Sequence, residues 1–73
     1  MFITTAGFAF TFEHLEIGAY ELLKRVARRA GDSETAEVAE KIIAEEREAA
    51  ERIRAQFAPA VDEALTDAGV RAA

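Results

Sequence analysis

Two stretches of this chain repeat apolar residues at helical spacing, and a short polar turn separates them. Phe8, Phe12, Leu15, Ala19, Leu22 and Val26 follow one another at intervals of four and three. That is the seam of an amphipathic helix, and it predicts a first helix over residues 5–30. Further on, Ala39, Ile42, Ala49, Ala50, Ile53 and Phe57 share one side of a helix at 100° per residue, which predicts a second helix over 33–57. Gly31 suits the left-handed position after the first helix, and Lys24, Arg25, Arg28 and Arg29 suit the negative end of its dipole. Asp32 or Ser33 then caps the second helix, with Glu34 and Glu37 in its first turn. A turn this tight forces an antiparallel hairpin. Pro59 ends or kinks the second helix, or serves as the first residue of a short third helix over 59–67 closed by Gly69. Phe8 to Phe12 also alternates with period two, as a short strand would, but no partner strand is legible elsewhere.

The expected fold is therefore all-α, a single helical domain over 1–73. A two-helix hairpin has one internal seam and leaves apolar surface uncovered, whereas four helices close a core. The chain has 73 residues and no cysteine, so disulfides cannot brace it. Self-association or a bound metal are the routes left to a chain so short. A homodimer forming a four-helix bundle is the simplest arrangement. A different protein supplying two helices is the alternative.

Composition narrows the function classes. The chain is 51% hydrophobic and 32% charged, which marks a folded chain and not a disordered one. The net charge is −5, with residues 32–73 carrying eleven acidic and five basic groups. That balance argues against nucleic acid as a partner. No apolar run is long enough to span a membrane, and the first ten residues lack the basic start of a signal peptide, so a cytoplasmic location is expected. No phosphate loop, nucleophile triad or zinc motif is present, which favours a non-catalytic role.

Candidate chemistry begins at Glu46. It projects onto the middle of the second helix's apolar stripe, where a carboxylate needs a partner, water or a metal. Glu16 lies about 70° from the seam of the first helix and comes level with Glu46 when the hairpin closes. Two copies would bring four such carboxylates together, an oxygen-rich set suited to iron, manganese, magnesium or calcium. An ion pair or a register-setting role accounts for Glu46 equally well. His14, the only histidine, is about 160° around the helix from Glu16 and is expected at the surface or in an interface. Glu13 is expected in solvent, and Tyr20 at the flank with its hydroxyl outward. Glu37–Lys41, Glu48–Arg52 and Arg47–Glu51 are spaced to pair along the second helix.

The stretch Glu13-His14-Leu15-Glu16-Ile17-Gly18-Ala19-Tyr20 resembles the Glu-His-x-Glu-Ile-x-x-Tyr segment of a bacterial ferritin-like family. Its members are Yci-type stress-associated proteins of unknown function. Ile43 to Ile53 is similar to that family's last bundle helix, and the Ala30-Gly31-Asp32 turn fits between them. The resemblance covers residues 12–57 and implies helices three and four of a four-helix bundle. It also implies metal-binding positions at Glu16 and Glu46, with iron or manganese as the cofactor. A di-iron helix reads Glu-x-x-His, but Ala49 stands three residues after Glu46, and Ala50 stands where many members have Asp. Two functions follow as expectations. One is a non-catalytic, self-associating ferritin-like module. The other is a carboxylate metal-binding protein with its site shared between chains.

Overall fold

The computed structural model describes residues 3–70, and all of its regular secondary structure is helical. Helix α1 spans Ile3–Arg29, α2 Ser33–Arg54 and α3 Phe57–Asp67. Phe8 to Phe12 lies inside α1, so the strand alternative does not hold. At 1.5 Å per residue α1 is about 40 Å long, and the molecule is a rod of 57 × 15 × 14 Å. No described helix is long and apolar enough to cross a membrane.

The hairpin turn is built by local chemistry. Gly31 has φ +75°, the left-handed conformation that costs other residues a Cβ clash. The Gly31 N–H donates to the Arg28 carbonyl at 3.1 Å, and the Asp32 N–H to the Ala27 carbonyl at 2.8 Å. This pair of bonds satisfies carbonyls that the end of α1 would otherwise leave open. Asp32 then caps α2. Its carboxylate accepts from the Thr35 N–H at 3.1 Å and from the Thr35 hydroxyl at 2.6 Å, which holds its pKa below the usual carboxylate value.

The second helix ends at Arg54, three residues before the predicted boundary, and α3 starts at Phe57. Pro59 therefore sits in the first turn of α3, where a missing N–H costs no helical bond. Phe57 consequently belongs to α3. Its ring meets Phe10 edge-on, with centroids 5.2 Å apart, and this fixes α3 against the start of α1.

The hairpin contact is not where the Phe8–Val26 seam placed it. Ala6, Phe10, Glu13, Ile17, Tyr20, Lys24 and Ala27 run along α1 at intervals of four and three, and each is buried or half-buried. Facing them, Ala36, Ala39, Ile43, Glu46, Ala50 and Ile53 run along α2 in the same rhythm, also buried or half-buried. By contrast, Phe8, Phe12, Leu15, Ala19, Leu22 and Val26 are all exposed, Phe8 at 71% and Val26 at 65%. The two seams of α1 lie roughly 150° apart around the helix. Among the described residues, the buried ones are Ala6, Ala27, Ala36, Ala39, Ala50 and Ala60 with a single larger one, Ile43. Small side chains let the helices approach, and Phe8, Phe12, Leu15, Leu22 and Val26 are left outside.

Candidate carboxylate site

Glu13 and Glu16 are three residues apart on α1 and therefore neighbours on its surface. Glu13 occupies a position in the hairpin contact, and Glu16 lies at its edge. Glu46 occupies the matching contact on α2, held opposite by the Gly31 turn. One carboxylate oxygen from each of the three falls within 4.8 Å of the others, and all three residues are half-buried. The sequence pairing of Glu16 with Glu46 is thus present in space. Glu13, expected in solvent, is instead the third member. The correction follows from the phase of α1: with its alanine face turned inward, Glu13 points into the hairpin.

The cluster lacks donors. Oε2 of Glu13 and Oε2 of Glu46 are both fully occluded, and neither has a hydrogen-bond partner. As ionised groups they can only accept, so their mutual approach is unfavourable until a proton or a cation intervenes. A hydrogen bond from a protonated Glu46 to Glu13, burial, a like bond to Glu16, and repulsion from both neighbours push the Glu46 carboxyl up to about 7. Arg47 could have neutralised the group, but it reaches the other way and pairs with Glu21 of α1 at 3.3 Å. Glu51, expected to pair with Arg47, pairs with Arg54 at 3.5 Å, while Glu48 and Arg52 pair as expected at 3.3 Å.

His14 stands apart from this cluster. It is exposed, its ring lies 4.3 Å from the Phe10 ring, and Nδ1 is 3.0 Å from the Phe10 carbonyl oxygen. It borders a groove with Ile17, Arg47, Ala50 and Glu51 on the opposite flank of the hairpin. Tyr20 is half-buried. Three carboxylates without an imidazole form a donor set for one hard cation, since such ions prefer oxygen ligands. They do not fit a pair of irons, which draws on a histidine from each Glu-x-x-His helix.

Residues 2–66 match the model of a domain of unknown function, DUF892. The chain belongs to this family, which is ferritin-like, of the Yci type, and has no established function. Neither the curated proteins nor the solved structures contain a match to the chain.

Proposed function

We propose that this protein is a non-catalytic helical module that self-associates, corresponding to helices three and four of a ferritin-like bundle. The observation that carries this reading is the reversal of its apolar side chains. An 8.0 kDa chain has 5600 Å² of accessible surface. A compact monomer of that mass would have roughly 4,500 Å². The excess, about 1,100 Å², exceeds the roughly 800 Å² per partner of a standard interface. Phe8, Phe12, Leu15, Leu22 and Val26 supply much of the apolar part. Sedimentation equilibrium tests it: a homodimer or higher homo-oligomer is expected at micromolar concentration. A stable folded monomer that instead captures a different helical protein would favour the hetero-partner reading.

A second reading rests on the three-glutamate cluster. Glu13, Glu16 and Glu46 would hold a hard divalent cation such as Mn²⁺ or Fe²⁺, with further ligands coming from a second copy or from water. Two occluded oxygens without donors support it, and the alanines at 49 and 50 limit it to simple binding. Titration with Mn²⁺ while following thermal unfolding provides the test. The melting temperature should rise in the native protein and fail to rise in Glu46→Leu, Glu13→Gln or Glu16→Gln. An equal response in all four proteins would remove the cluster as a metal site. Glu46→Leu should itself melt higher without metal, because it removes a half-buried carboxyl crowded by Glu13 and Glu16.

A further inference from the structure

We propose that the groove bordered by His14, Ile17, Arg47, Ala50 and Glu51 binds a free α-amino acid with an aliphatic side chain. The groove lies between α1 and α2, on the flank away from the glutamate cluster. Its volume is about 350 Å³, at the lower end of small-molecule sites, which run from about 300 to 1,000 Å³. Ile17 and His14 lie roughly 120–180° around α1 from the centre of the outer stripe. Copies that associate through the stripe therefore leave the groove open. Half-buried Ile17 and buried Ala50 make its floor. The rim holds one side chain of each charge and an imidazole.

The way the ion pairs are shared opens this rim. Arg47 and Glu51 are spaced to pair along α2, but each turns to another partner. Arg47 reaches across to Glu21 at 3.3 Å, and Glu51 reaches along the helix to Arg54 at 3.5 Å. A basic residue four places before an acidic one is the weaker order for a helical pair, whereas Glu48 and Arg52, in the stronger order, do meet at 3.3 Å. A positive and a negative group thus border the same space, about one helical turn apart. Glu21 also holds Lys24 at 3.3 Å, so two cations share one carboxylate and the Arg47 edge stays net positive. Arg54 meets Oε1 of Glu51, which leaves Oε2 for a ligand. His14 adds an acceptor. Its Nδ1 is 3.0 Å from the Phe10 carbonyl oxygen, which has no proton to give. Nδ1 therefore carries the hydrogen, and Nε2 of the neutral ring keeps its lone pair.

This rim selects by charge. A simple anion drawn to Arg47 is repelled by Glu51, and a simple cation meets the reverse. A wholly apolar molecule would strip water from both charges without replacing it. A zwitterion satisfies both. Its carboxylate accepts from the free part of the Arg47 fork. Its ammonium donates to Oε2 of Glu51 and Nε2 of His14. An aliphatic side chain on the same carbon then lies on Ile17 and Ala50.

A shift titration by nuclear magnetic resonance tests the proposal, with the isotope-labelled full chain and L-leucine as the probe. The amide signals of Ile17, Arg47, Ala50 and Glu51 should move saturably, while those of Leu15 and Leu22 on the outer stripe stay in place. Isocaproate lacks the ammonium and isoamylamine lacks the carboxylate. Each should bind roughly two- to fivefold more weakly than leucine, the range of one exposed ion pair. In Arg47→Gln, leucine should bind no better than isoamylamine. In Glu51→Gln, it should bind no better than isocaproate. Unmoved signals elsewhere in both variants would show that the hairpin is intact. No saturable shift at the groove, shifts confined to the outer stripe, or either analogue binding as tightly as leucine would overturn the proposal. Each of those results leaves the self-association reading standing.

Discussion

The two sides of α1 share one rhythm and differ in what they carry. The side facing α2 presents Ala6, Phe10, Glu13, Ile17, Tyr20, Lys24 and Ala27, a line of small, polar and mixed residues that is covered. The other side presents Phe8, Phe12, Leu15, Leu22 and Val26, which are large and uncovered. Burying an alanine contributes little, whereas fully burying a Phe or Leu side chain contributes about 1.5–3 kcal/mol. The hairpin contact brings the helices close and fixes their geometry. A large share of the available hydrophobic stabilisation lies on the outer side. Polar groups follow the same division: the covered side holds the glutamate cluster, which closes only with a proton or cation.

Mutations on each side should therefore behave differently. The largest effect is expected from Leu15→Glu with Leu22→Glu. Each substitution removes about 1.5–3 kcal/mol of burial, twice per dimer, so association should fall by more than about a thousandfold, read by sedimentation. The helical hairpin should persist, read by circular dichroism. Next comes Ala39→Leu, at a site only 1% exposed. Overpacking there should cost about 1–3 kcal/mol in thermal or denaturant unfolding. The opposite control, Ala19→Leu on the bare stripe, should leave the hairpin intact. Gly31→Ala should cost about 1 kcal/mol, because its φ of +75° disfavours any side chain.

The smallest expected effect is a pH dependence. The Glu46 carboxyl is raised from its ordinary value of 4.5 to about 7. The native state therefore holds a proton that the unfolded chain releases first. The stabilisation is fully present below about pH 4.5 and is lost as pH rises through about 7. Melting temperature of the metal-free protein should fall across that window, and Glu46→Gln should flatten the fall. Asp32 works in the opposite sense. Its lowered pKa stabilises above the ordinary value of 3.8 and is lost on further acidification. The thermal response to Mn²⁺ should grow as pH rises through the Glu46 transition, since cation and proton compete for the same oxygens.

The turn, the antiparallel pairing and the presence of a third helix were legible because local chemistry dictates them. Gly31, Asp32 and Thr35 form their bonds within a few residues of one another. The phase of α1 was misread because hydrophobicity alone ranks Phe8–Val26 above the alanine line. That ranking tells which side gains most from burial, not which neighbour covers it. A second line at the same spacing, beginning at Ala6 and ending at Ala27, was the available signal. Glu16 survived the misreading because it borders both seams, so either phase leaves it near α2. Glu13 did not, since its position inverts with the phase. Glu46 was legible throughout, as a carboxylate set in the rhythm of Ala39, Ile43, Ala50 and Ile53.

The central claim is that the outer stripe of α1 is an interface between copies of this chain. Sedimentation equilibrium of the native protein across micromolar concentrations tests it most directly. The account predicts a mass at least twice 8.0 kDa that dissociates on dilution. A folded, concentration-independent species of 8.0 kDa would contradict it.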